Sequence, residues 1–161
     1  MTYEYPEIFE MDKKYYVVFK KTFDASPSKV FECITKQTSQ WNEMIHFDQV
    51  KDGSSFTLQL DETNSSSLTL PILSVSNDEL LKLEWPKGYV QFDLHSQSPI
   101  STMCSLTQMS ETLSNRLIHD ITNWHVALIN IEQMLLDANH QYNNDDYKPL
   151  YDYYVKEMNA L

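Results

Sequence analysis

Glycine is almost missing from this chain: of 161 residues, only Gly53 and Gly88 are glycine. A dinucleotide fingerprint or a phosphate-binding loop needs several glycines in one turn, so that the backbone can approach the phosphates. Neither can be built here, and no cofactor is expected. Cysteine is equally scarce. Cys33 and Cys104 make no disulfide framework and lack metal-type spacing. Both fall in apolar patterns, so they read as buried free thiols in a reducing cytosol. Arginine occurs once, at Arg116, and 12 basic against 23 acidic side chains leave a net charge of -11. Nucleic-acid binding relies on Lys and Arg to displace counterions, so no nucleic-acid partner is expected and the charge reads as a solubility feature. No apolar run nears the roughly 20 residues that span a bilayer, so no membrane insertion is expected. The opening residues, Met-Thr-Tyr-Glu-Tyr-Pro-Glu, lack the basic-then-apolar pattern of a signal peptide. The expected location is cytoplasmic, and the sequon Asn64-Ser65-Ser66 reads as chance.

What remains is ordinary for one domain: 42% hydrophobic and 22% charged residues around a single core. The organising stretch is Leu117 to Leu136. Its apolar residues Ile121, Trp124, Leu128, Ile131 and Leu135 recur at three and four, one stripe of a long helix. Ahead of it the period is mostly two. Tyr15 to Phe23 reads as a strand with Val17, Phe19 and Phe23 facing inward, and Lys21 shares their parity. That lysine is either a ligand anchor or, the preferred reading, a strand-end residue that snorkels to water. Ser26-Pro27 starts a helix whose apolar face is Val30, Phe31 and Ile34. A second short helix is expected over Ser39 to His46, with Trp41. Strands follow with Phe56 and Leu58, then Leu68 to Val75, where Pro71 predicts an edge or a bulge. Leu81, Leu83 and Trp85 alternate in the next, then Val90, Phe92 and Leu94, then Thr102, Cys104, Leu106 and Gln108. Asp61 to Ser67 reads as a polar hairpin loop. The expected units are an N-terminal extension over 1–14, a domain over 15–138 and a tail over 139–161. The tail follows a polar stretch, Asn139 to Asp146, and carries a short helix whose Tyr147, Leu150, Tyr151, Tyr154 and Met158 form a face. It would pack on its own domain, on a second copy or on a protein partner.

The run Thr22-Phe23-Asp24-Ala25-Ser26-Pro27-Ser28-Lys29-Val30-Phe31 resembles the first strand-to-helix junction of the START/SRPBCC, or helix-grip, superfamily. Trp41 after the first helix, Leu81 to Trp85 as a strand ending in tryptophan, Ser101 to Gln108 as the last strand, and Asn123-Trp124 with Leu128 on the closing helix extend the likeness over residues 15 to 138. Asn123 stands where that pattern carries glycine. Together they resemble the branch of the activator of the heat-shock chaperone ATPase. The resemblance implies an α+β helix-grip fold: a curved antiparallel β-sheet wrapped around a long C-terminal α-helix, with two short helices after the first strand. It also implies a cavity between sheet and helix, lined by Trp41, Phe56, Leu58, Trp85, Phe92, Cys104, Leu106, Trp124 and Leu128. There Thr102 and Gln108 would be the polar groups that orient a ligand.

No catalytic constellation accompanies it. The five histidines (His46, His95, His119, His125, His140) contain no His-x-x-x-His pair and read as surface residues. No serine sits in a nucleophile elbow, and Cys104 lacks a basic partner. No buried acid or base that an enzyme would need is evident. The preferred expectation is a binding protein for a small hydrophobic or lipid-like molecule. A protein-interaction module, chaperone-regulator-like, and a cyclase-like enzyme on an aromatic substrate are the alternatives.

Overall fold

A computed structural model describes residues 4–60, 66–136 and 145–161. The chain runs β1 (Glu7–Met11), β2 (Lys14–Phe23), α1 (Pro27–Lys36), a 3-10 turn (Thr38–Gln40), β3 (Ile45–Phe47), β4 (Ser55–Gln59) and β5 (Ser67–Ser76). It continues through β6 (Leu80–Trp85), β7 (Gly88–Ser98), β8 (Ser101–Ser110), α2 (Asn115–Leu136) and α3 (Tyr147–Asn159). The strands form one antiparallel sheet in the order β1-β2-β8-β7-β6-β5-β4-β3. The sheet curves around α2, the helix-grip arrangement.

Period-two alternation explains the inner face. The central strands β4, β6, β7 and β8 bury every second side chain along most of their length, and the register lines these up across the sheet. Val17 pairs with Gln108, Gln108 with Val90, Val90 with Leu83 and Leu83 with Ile72. Four of the five are aliphatic, and all are buried. Because β8 lies beside β2, the chain leaving the sheet folds back over its middle as α2. That helix is covered by the sheet on one side and by α1 and α3 on others. Its burial is therefore wider than one stripe: Val126, Ala127 and Asn130 are buried along with Ile121, Trp124, Leu128 and Ile131.

The N-cap of α1 is as read: Ser26 Oγ accepts from the Lys29 amide at 3.3 Å, and proline opens the helix. Pro71 sits at a junction. β5 pairs with β4 up to Pro71 and with β6 from Ile72 onward, with a register irregularity between Ile72 and Ser74. A residue without an N–H suits a strand that changes partners. The second short helix is shorter than expected. It is the single turn Thr38–Gln40, after which Asn42 Oδ1 accepts from the Met44 amide at 2.7 Å. That local turn competes with a helix, and Ile45–Phe47 joins the sheet as β3. At the termini, β1 pairs with β2 from Glu7 to Met11, and Tyr5 stacks on Tyr153 of α3 at 4.0 Å. α3 packs on α2 of its own chain through Leu150, Tyr154 and Met158. Most of the stretches 61–67 and 139–146, with His140 and Asn64, lies outside the described residues. Among the described residues, no helix is long and apolar enough to cross a membrane.

Candidate functional site

Aromatic side chains fill the space between sheet and helix. Trp124 of α2 is the hub, with ring centroids 5.3 Å from Trp85, 5.8 Å from Phe92 and 6.2 Å from Trp41. Phe56 stacks on Trp85 at 6.2 Å. Stacked and edge-on pairs of this kind add to the area they bury. The cluster is closed except at the end nearest the start of α2. There a cleft of about 240 Å³ opens, lined by Leu58, Leu60, Met44, Trp85 and Trp124 on its apolar side and by Asp120, Arg116, His119, Asn123, Asn42 and Gln59 on its polar side.

Asp120 is the centre of that polar wall and is buried. One carboxylate oxygen accepts from Trp85 Nε1 at 3.0 Å and from Gln108 Nε2 at 3.1 Å. The other accepts from Arg116 Nε at 3.0 Å, one helical turn earlier. Gln108 in turn accepts from Trp124 Nε1 at 3.1 Å. A single glutamine in an aliphatic row is thereby satisfied at both ends, as burial of a polar group demands. The carboxylate holds the edge of Trp85 directly and that of Trp124 through Gln108.

The residues expected to line a cavity divide as follows. Leu58, Trp85 and Trp124 reach the cleft. Leu128 borders a second hollow farther along α2. Trp41, Phe56, Phe92, Thr102, Cys104, Leu106 and Gln108 are buried and line neither. The Thr102 hydroxyl donates to the Ala25 carbonyl at 2.7 Å and Trp41 Nε1 to the Cys33 carbonyl at 3.0 Å, so both act within the protein. Burial pushes the Cys104 thiol up to about 12, with Asp93 adding to it, and the Cys33 thiol to the same level, with Glu32 adding.

Two groups escaped the sequence reading. Asp120 is four residues before Trp124 and shares its face, a spacing that marks it as inward. His125 is four residues after Ile121 and three before Leu128, hence on the buried side, and only 3% exposed. The expectation of a surface histidine is overturned there. Its Nδ1 is hydrogen-bonded to Tyr154 Oη at 2.6 Å. Burial and the Lys21 ammonium hold its pKa down at about 4, against an opposing effect of Asp146. Burial, with neighbouring Tyr153, Tyr5 and Glu157, raises the Tyr154 phenol above its ordinary value. His119 is exposed; its Nδ1 is bonded to Tyr147 and its ring stacks on Tyr151 at 4.6 Å. The two histidines are six positions apart, yet both meet tyrosines of α3. His46 and His95 are exposed, as expected. Among the described residues, no three His, Cys, Asp or Glu side chains gather where they could hold a metal ion.

No family model matches the chain, and no curated protein matches it in sequence. Solved structures share its fold. A conserved protein of unknown function from Enterococcus faecalis, EF2215, superposes with a TM-score of 0.85 at 18% identity, over 97% of this chain and 91% of that one. CalU16 from Micromonospora echinospora gives 0.71 at 14% identity, over 97% and 94%. The Aha1 dimer from Colwellia psychrerythraea gives 0.59 at 16% identity, over 74% and 95%. The likeness is one of fold.

Proposed function

We propose that this chain binds a small, largely apolar molecule in the cleft between β4, β6 and the first turns of α2. The observation that carries the reading is the break in the aromatic cluster. Leu58, Trp85 and Trp124 border open space, whereas the rest of the cluster is packed shut. At about 240 Å³, the cleft is slightly below the roughly 300 Å³ at which ligand pockets usually begin. It suits a compact, one- or two-ring molecule better than a long lipid chain. An apolar ring gains most there, because it takes the apolar side of the lining out of water. Arg116, Asn123 and Asn42 at the rim supply donors that orient a polar substituent.

The enzyme reading has one observation in its favour: Asp120 is a buried acid at the wall of the cleft. Three donors already converge on its two oxygens, an arrangement that supports positioning of the tryptophans rather than proton transfer. Placement on the chaperone-ATPase-activator branch, over residues 15–138, and association into dimers belong to the same proposal. The motifs of the sequence and the fold shared with the Aha1 dimer support them.

Native mass spectrometry of protein purified without detergent, before and after organic extraction, tests the binding. An extractable added mass, or one gained on incubation with small aromatic compounds, is expected for the wild type. Leu58→Trp, which fills the cleft from β4, should lose it. A bare mass under all conditions, or an adduct that Leu58→Trp keeps, overturns the proposal.

A further inference from the structure

We infer that the hollow at the other end of α2 is a second binding site, for a small monocarboxylate with an apolar body. The feature that calls for it is Lys21. It lies on the inner face of β2, in register with Cys104, which pairs with Leu94. Both neighbours are buried, and the lysine side chain is itself 13% exposed. A recessed ammonium requires anions close by. Two reach it, Glu132 Oε2 at 3.2 Å and Glu4 Oε1 at 3.8 Å. They come from opposite sides, from α2 and from the residues before β1. Both carboxylates remain far more exposed than the lysine they serve, at 41% and 57%.

A carboxylate is therefore what this ammonium binds, and the hollow beside it has room for more. It measures about 240 Å³, the liquid volume of roughly eight waters. Phe19, Leu128, Ile129 and Leu136 give it an apolar wall, and His125, Gln133, Glu4 and Glu132 complete its lining with the two lysines of β2. Leu136 is 69% exposed, a large apolar side chain at the mouth with nothing described covering it. A ligand carboxylate on Lys21 would replace Glu132, and its body would cover Leu136 and Ile129. Glutamate offers the charge without the apolar body. Since ion pairs with exposed carboxylates are weak, Glu132 returns to water at small cost. The site is separate from the cleft at the start of α2, which shares none of these residues.

Octanoate and octanol, equal in chain length and different in charge, are the probes. Both are titrated into the full chain by calorimetry and followed by amide NMR. Octanoate should bind saturably and shift Phe19, Leu128 and Ile129, with octanol weaker by about tenfold or more, the scale of a charged hydrogen bond. Lys21→Met should bring octanoate down to the level of octanol. Glu132→Gln frees the ammonium from its nearest anion and should tighten octanoate several-fold, which keeps the test intact if the lysine variant fails to fold. Equal affinities, absence of saturable binding, shifts confined to Leu58 and Trp85, or a Glu132→Gln variant that binds no better would each overturn the inference.

Discussion

Acidification should loosen this protein through one side chain, His125. The imidazole is 3% exposed, bonded to Tyr154 Oη at 2.6 Å, and in edge-on contact with Phe19 and Tyr5, each with ring centroids 5.8 Å away. Lys21 across the interface opposes a second positive charge, and its folded pKa is held at about 4 against an ordinary 6.5. Between those values the unfolded chain takes up a proton that the folded chain refuses. Stability then rises with pH, is fully present above about 6.5, and falls as pH drops toward 4. Going from pH 7 to pH 5, the linkage comes to about 2 kcal/mol at room temperature. The background runs the other way, because a chain of net charge -11 sheds self-repulsion as its carboxylates protonate. The assay is urea unfolding at pH 7 and pH 5 for wild type and His125→Gln. The wild type should lose about 2 kcal/mol more than the variant over that interval. Equal losses would refute the reasoning, as would an NMR titration in which the His125 ring protonates near pH 6.5.

Asp120→Ala should cost about 3 kcal/mol in urea unfolding, because it strands the buried Trp85 indole N–H and Gln108 amide; Asp120→Asn should cost less, and equal costs would place the effect elsewhere. Gly88→Ala should lower the melting temperature by several degrees or prevent folding, since a Cβ there would sit 1.8 Å from the Met109 carbonyl oxygen, and overpacking against backbone cannot relax. Cys33 and Cys104 should resist a thiol reagent at pH 8 in the folded protein and react on unfolding, because burial pushes both thiols up to about 12 and the thiolate is the reactive form.

The fold was legible in the sequence because each long element carries its own period. Phe56 and Leu58, Leu81 to Trp85, and Val90 to Leu94 alternate strictly, and all face the core. Ile121 to Ile131 repeat at three and four. Spacing predicts a helix over Ser39 to His46 where the chain makes only the 3-10 turn Thr38–Gln40, because apolar spacing does not register the Asn42 side chain turning the backbone at Met44. At the site, strand parity puts Trp85 and Gln108 inside and the helical stripe does so for Trp124, but neither says with whom they pair. The partner is Asp120, 12 residues from Gln108 and 35 from Trp85, and only folding brings them together. His125 was readable in principle from its place on the helical stripe. Histidine is polar enough that its type alone points to the surface, against its position on the buried side of the helix.

The tryptophan indole N–H signals offer the most direct test of the cleft. Trp85 and Trp124 border it, while Trp41 does not line it and its Nε1 is bonded to the Cys33 carbonyl. In an NMR titration of the full chain with one- and two-ring aromatic compounds, at least one compound should move the Trp85 and Trp124 signals saturably. The Trp41 signal should stay in place. If no compound moves them, or if all three tryptophans respond alike, the cleft is not a binding site.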